Sequence, residues 1–276
     1  MLIGLIVLVA LALLFFFLIM PAKASADARA RFAGRNYAHR GFYDNSTDRP
    51  ENSLKAFDAA MKKGYGCELD VQFTSDKKII VFHDNDYVRS SGIDKKVWEV
   101  SYDEAKKIKL FGSNETVPLF SEVLKTVDGQ QPLIVEVKAE GVNLKWYNEL
   151  CEDTLKMLRE YKGDFCVESF HPMVVRWFKK NAPDLVRGQL VNGWRTWKKA
   201  INFFVAFAID KQLTSCLTRP NFIAYNEKDI NGALRLAQKL GAMTVMWTCR
   251  TPERYDELRK KEDAIIFEKF APPARY

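Results

Sequence analysis

The chain opens on residues 2–20, a run of 19 positions that are all apolar or glycine, and then changes character. As a helix, that run would be about 28 Å long, close to the hydrocarbon thickness of a bilayer. From Asn36 onward, short apolar runs alternate with amphipathic stretches. Strand-like runs fall at 37–38, 67–73, 79–82, 133–137, 165–168, 186–191, 222–225, 244–247 and 264–267. Helical periodicity fills most of the intervals, at 53–63, 144–161, 172–181, 227–240 and 252–260. Alternation of this kind over about 240 residues predicts a (β/α)8 barrel, with an open doubly wound sheet as the alternative. The first strand is not followed by Gly-x-Gly-x-x-Gly, which argues against a dinucleotide site. No Pro/Gly/Ser-rich linker interrupts the alternation, so residues 35–276 read as one domain.

Nine candidate strands compete for eight barrel places. Residues 74–78 are too few for a parallel crossover, so 67–73 and 79–82 are expected to pair antiparallel. A two-residue turn at Asp76-Lys77 would set Thr74 opposite Ile79, Gln72 opposite Val81 and Asp70 opposite His83.

The apolar N-terminal run lacks the basic n-region of a secretory signal and exceeds its usual core length. Residues 1–21 therefore read as an uncleaved transmembrane anchor in preference to a signal peptide, although Ala22-Lys23-Ala24 has a small-x-small form. Residues 22–34 read as a juxtamembrane linker. Lys23, Arg29, Arg31 and Arg35 follow the span and no basic side chain precedes it, which by the positive-inside rule turns the domain toward the cytoplasm.

Composition narrows the partners. A hydrophobic fraction of 47% with 28% charged residues fits a solvated globular domain. The net charge of +7 is scattered among 35 acids without a long basic run, so no nucleic-acid partner is expected; anionic membranes or phosphate substrates fit better. The five cysteines (Cys67, Cys151, Cys166, Cys216, Cys249) show neither zinc spacing nor an even disulfide framework, and read as small buried hydrophobes.

The candidate chemistry gathers early in the chain. Two of its three histidines lie in His39-Arg40-Gly41 and His83-Asp84, with Glu68-Leu69-Asp70 between them. Histidine is the side chain best suited to moving protons near neutral pH. Glu68 and Asp70, two apart on a strand, emerge on one face, where a hard divalent cation would relieve their repulsion. Glu136, near the end of another apolar strand, is a candidate third ligand.

Six ordered motifs carry a family resemblance: His39-Arg40-Gly41, Pro50-Glu51-Asn52-Ser53, Glu68-Leu69-Asp70-Val71, Thr74-Ser75-Asp76, Val81-Phe82-His83-Asp84 and Glu136-Val137-Lys138. Together they resemble the glycerophosphodiester phosphodiesterase family over nearly the whole chain after the anchor. The resemblance implies a TIM barrel that hydrolyses glycerophosphodiesters to an alcohol and glycerol 3-phosphate with a divalent metal. It maps the catalytic histidines onto His39 and His83 and the metal ligands onto Glu68, Asp70 and Glu136. Carboxylate oxygen suits Ca²⁺ and Mg²⁺ alike. A phosphodiester also needs its charge neutralised, which Arg40 as a planar fork and Lys138 as a point charge supply, while one histidine acts as base and the other as acid.

Other positions have two readings. Glu51 is a possible site residue, while Asn52 precedes a predicted helix and reads as structural or as a support to the site, since Asn52 or Ser53 would cap that helix. Trp247 matches an aromatic position that the family places near the substrate glycerol, or is a core tryptophan. His171, before Pro172, reads as a helix-entry residue. Two departures touch substrate preference: Cys249-Arg250 stands where the family commonly has an Asn, and Phe267-Glu268 where it has Thr-Asp.

Residues 194–218 are more aromatic than a barrel connection requires and read as a helical insertion, packed on the barrel or dipping into the bilayer. This keeps open an action on lysophospholipids, as a lysophospholipase D or in the manner of sphingomyelinase D. An inactive membrane scaffold is the alternative of another class.

Overall fold

The computed structural model describes residues 2–139, 143–197 and 201–276. Among these residues eleven strands form: β1 Arg35–His39, β2 Gly66–Phe73, β3 Ile79–Val81, β4 Asp86–Tyr87, β5 Ile93–Lys96, β6 Leu133–Val137, β7 Phe165–Ser169, β8 Arg187–Val191, β9 Phe222–Asn226, β10 Met243–Cys249 and β11 Ala264–Phe267. Eight are parallel and close on themselves in the order β1-β2-β6-β7-β8-β9-β10-β11, with β11 returning to β1. This is a TIM barrel. β3 is the surplus ninth strand and pairs antiparallel at the edge of β2; β4 and β5, which the periodicity did not reveal, make a separate ribbon.

Alternation along each barrel strand divides the barrel's apolar residues into two layers. One set, including Cys67, Leu69, Val71, Val135 and Val167, packs outward against the helices. The other set faces into the barrel: Tyr37, Ile134, Cys166, Leu190, Phe222, Met243, Val245 and Ile266 fill its lower part. Gly188 is needed there, because a Cβ at that position would meet the Phe222 ring at 2.1 Å.

The hairpin register differs by one residue from the expected one. Val71 pairs with Val81, Gln72 with Ile80 and Phe73 with Ile79. The turn spans 74–78: Lys77 takes a left-handed φ of 56°, Thr74 N–H donates to Lys78 O, and Thr74 Oγ1 accepts from Lys78 N–H while its hydroxyl donates to Asp76. The extra loop residue puts Phe82, not His83, opposite Asp70, with Phe82 N–H donating to Asp70 O at 2.9 Å.

Residues 22–34, expected as a linker, contain a helix instead. Helix α1 covers Leu2–Ile19 and α2 covers Ala26–Phe32; Ser25 caps α2 by accepting from Ala28 N–H. Ala24, Ala28 and Phe32 pack onto the inward layer and close the floor of the barrel, where the Tyr37 hydroxyl donates to Phe32 O at 3.1 Å. Helix α1 is long and apolar enough to cross a membrane, with a mean hydropathy of 3.3 and only 6% of its length buried.

Among the described residues the insertion contains three short helices: Trp194–Trp197, Phe203–Asp210 and Ser215–Thr218. Asn202 caps the second, and Gln212, at φ 61°, breaks the chain before the third. Lys198 and Lys199 of this segment lie outside the described residues.

Candidate active site

The C-terminal ends of the barrel strands assemble a crowded polar chamber. Glu68 and Asp70 come from β2, Glu136 from β6 and Glu168 from β7, all buried. Parallel register aligns Asp70 with Glu136 and Glu136 with Glu168. Glu68, Asp70 and Glu136 each offer a carboxylate oxygen within 4.8 Å of the others.

Two cations enter this cluster. Lys138 Nζ lies 3.2 Å from Glu136 and 3.8 Å from Asp70. The Arg40 guanidinium donates to Glu51 at 2.6 Å and reaches within 3.8 Å of Asp70, while its backbone N–H donates to Glu68 at 3.2 Å. That last bond needs the left-handed turn that follows β1, with φ 54° at Arg40 and 82° at Gly41. A Cβ at Gly41 would sit 2.9 Å from the Ala56 backbone.

Electrostatics divides the acids. Burial, then the neighbouring Asp70, Glu168 and Glu136, pushes the Glu68 carboxyl well above its ordinary range, and burial with Glu136 and Asp70 does the same to Glu168. Burial works the same way on Asp70, but His83, Lys138, Arg40 and the Asn52 amide outweigh it and hold that carboxyl low. For Glu51, burial is outweighed by hydrogen bonds from Arg89 and the charge of Arg40, which bring it down to about 2.

Asp70 Oδ1 and Glu168 Oε2 are buried without a hydrogen-bond partner. Four carboxylates beside two cationic side chains, with orphaned oxygens among them, suit a divalent cation held by Glu68, Asp70 and Glu136.

Both histidines line the chamber, and each has Nδ1 on a carboxylate. His39 Nδ1 is 2.6 Å from Glu268, and His83 Nδ1 is 2.6 Å from Asp84. Nε2 is thus the atom left for chemistry; in His39 it stands 3.9 Å from Glu68. Burial, then Arg40, lowers His39 to about 4 against the opposing pull of Glu268. Asp84 is itself gripped by Arg89, which also forks onto Glu51 at 2.6 and 3.0 Å. Glu268 in turn accepts from Tyr43 at 2.9 Å and from Arg250 at 2.6 Å.

The chamber holds about 130 Å³ and is walled on one side by Phe170, Leu190, Trp247 and Ile266. It shares His39, Arg40 and Arg250 with an outer recess of about 770 Å³ lined by Tyr43, Arg49, Glu51, Arg89 and Lys269.

His39, His83, Arg40, Lys138, Glu68, Asp70, Glu136 and Trp247 are thus all brought together. Glu51 is one step out, holding Arg40. Ser53 caps the helix Leu54–Lys62, its Oγ accepting from Ala56 N–H, which leaves Asn52 to donate to Asp70 at 3.0 Å. His171 lies outside the chamber as a helix cap, Nδ1 accepting from Met173 N–H. Glu168, Glu268, Tyr43, Asp84, Arg89 and Arg250 were not among the residues anticipated for the site. Glu168 had a readable signal: it is the fourth residue of Phe165–Ser169, as Glu136 is of Leu133–Val137.

Comparison with known proteins agrees with this geometry. The model of the glycerophosphoryl diester phosphodiesterase family matches residues 39–269. A glycerophosphodiester phosphodiesterase of Caldanaerobacter subterraneus is 34% identical over 163 residues, which is 55% of this chain and 65% of that protein. A lysophospholipase D of Rattus norvegicus is 26% identical over 54% of this chain and 49% of its own. The chain thus spans less than two thirds of the length of these relatives. Among solved structures, a glycerophosphodiester phosphodiesterase of Parabacteroides distasonis superposes with a TM-score of 0.67 at 22% identity, covering 86% of this chain and 94% of the other. An Oleispira antarctica phosphodiesterase in complex with the product sn-glycerol-3-phosphate gives 0.68 at 20% identity, covering 85% and 93%.

Proposed function

The chain belongs to the glycerophosphoryl diester phosphodiesterase family, and from that premise we propose that it hydrolyses glycerophosphodiesters to an alcohol and glycerol 3-phosphate. The observation that carries this reading is the meeting of three carboxylates within 4.8 Å with two carboxylate-held histidines in one small chamber.

The residues divide the work. Glu68, Asp70 and Glu136 would hold a divalent cation, Ca²⁺ or Mg²⁺, which when bound would offset phosphate charge and stabilise the charge developing on its oxygens. Arg40 and Lys138 add fixed positive charge beside the same carboxylates. Glu51, aided by Arg89 and Asn45, fixes the Arg40 fork, and Asn52 fixes Asp70. His39 and His83 form the acid–base pair: one Nε2 accepts a proton from the attacking oxygen, that of water or of the substrate's own glycerol hydroxyl, and the other protonates the leaving alkoxide; where the glycerol hydroxyl attacks, the same pair then adds water across the cyclic phosphate to give glycerol 3-phosphate. Glu268 and Asp84 orient the rings and stabilise them when protonated. Trp247 and Phe170 form an apolar wall for the glycerol carbons.

Residues 1–21 act as a membrane anchor with 35–276 as the catalytic domain, the basic residues after the span keeping that domain on the cytoplasmic side. Full-length protein in detergent is expected to release glycerol 3-phosphate from glycerophosphocholine, to stop in EDTA, and to resume with Ca²⁺ or Mg²⁺. Absence of release with either ion would overturn the reading; activity that survives EDTA would remove the cation from it.

A further inference from the structure

The helix Phe203–Asp210 presents an unusual surface. Phe204 is 76% exposed, and Phe203, Val205, Phe207 and Ile201 are also open to solvent. Such a cluster costs solvation unless something apolar covers it. It is not a frayed segment, because its inner side is fixed. Ala206, Ile209 and Asp210 are buried, and Asp210 accepts hydrogen bonds from the Tyr225 hydroxyl and, at 2.9 Å, from Asn231.

Three observations favour a lipid surface as the covering. Cations flank the rings: the Arg195 guanidinium is 5.2 Å from the Trp194 ring centre and Lys211 Nζ is 5.8 Å from that of Phe207, the arrangement of a helix lying at a headgroup boundary. The same insertion touches the membrane-length helix at its other end, where Arg219 donates to Met20 O and stacks over Phe17. The aromatic surface also leads inward. Phe203 meets Trp194 edge-on at 5.4 Å, and Trp197, at the end of that turn, lies 5.2 Å from Phe170, which packs against Trp247 in the chamber wall.

We propose that Phe203, Phe204 and Phe207 seat in the bilayer surface beside the chamber, and that the Trp197–Phe170–Trp247 ladder is the apolar path by which a single-chain phospholipid presents its phosphodiester while its acyl chain stays in the membrane. The surface stands on its own observations; the substrate rests on the function proposed above.

The test uses the full chain in vesicles of phosphatidylcholine and phosphatidylglycerol. A Phe204→Cys variant in a Cys216→Ser background, where the remaining native cysteines are buried, carries an environment-sensitive fluorophore at position 204. Quenching of that fluorophore by lipids brominated on the acyl chain is expected; emission that stays water-like and unquenched overturns the surface. A Phe203→Ser/Phe204→Ser variant is expected to raise KM for lysophosphatidylcholine in vesicles about tenfold, roughly 1.4 kcal/mol, with KM and kcat for soluble glycerophosphocholine unchanged. Equal loss on both substrates, or no loss on either, overturns the path. A quenched fluorophore in a protein that hydrolyses neither substrate would retain the surface and reject the function.

Discussion

Two ends of the same strands behave as opposites. At the floor of the barrel, Ile134 on β6 and Cys166 on β7 join Tyr37 and Phe222 in a dry apolar layer closed by α2. Two residues further along, in the same inward phase, Glu136 and Glu168 crowd against Glu68 and Asp70. The floor gains from burial, whereas the mouth spends some of that gain holding charged groups together out of water. One scaffold period of two residues thus builds both stability and chemistry, and the two should separate cleanly under mutation.

The largest expected effect is at the mouth. His39→Ala or His83→Ala should each reduce kcat about 10³-fold, within the range for general acid–base groups, while the thermal midpoint stays close to that of the parent. Turnover with glycerophosphocholine alongside a melting curve checks both halves. A variant that retains substantial turnover takes that histidine out of the mechanism, and one that melts much earlier ties the mouth to the floor.

The floor should respond in the reverse sense. Phe222 fills the space that Gly188 leaves open and is almost wholly buried. Phe222→Ala should cost about 3–5 kcal/mol, read as a lower urea midpoint, with kcat per folded molecule retained below the transition. Loss of turnover before unfolding would show that the chamber depends on the packing beneath it.

How much of this contrast the sequence discloses depends on how local its cause is. The nine strand runs are readable because burial leaves a two-residue period or a continuous apolar run. Five of the six motifs supply the cluster and its supports and are readable because each is contiguous; Thr74-Ser75-Asp76 forms the hairpin turn instead. The hairpin register is not readable to one residue, since it turns on the left-handed Lys77 and on Thr74 reaching Lys78. The clasp of Arg89 on Glu51 joins residues 38 apart, and that of Glu268 on His39 joins residues 229 apart; only closure of the barrel brings the latter together. Glu268 and Arg250, visible beforehand only as departures from a family pattern, turn out to be hydrogen-bonded to each other.

The smallest effect gives the sharpest distinction between the two ends. Glu168 sits at the mouth with an orphaned oxygen, its carboxyl raised by burial and by Glu136 and Asp70. A carboxyl whose folded value lies above its unfolded one leaves stability intact at low pH and removes it as pH rises past the unfolded value, because only the unfolded chain ionises freely. In EDTA at neutral pH, Glu168→Gln should therefore stabilise the protein by about 1 kcal/mol, a rise in Tm of roughly 2–4 °C for a chain of this size. The gain should shrink as pH falls below about 4, where the parent carboxyl becomes protonated in both states. Divalent cation should raise the parent's Tm by relieving the same repulsion, and should raise the variant's less. A lower Tm for Glu168→Gln in EDTA would mean that this carboxylate binds the mouth together rather than straining it, and the division of labour along β7 would fail at its upper end.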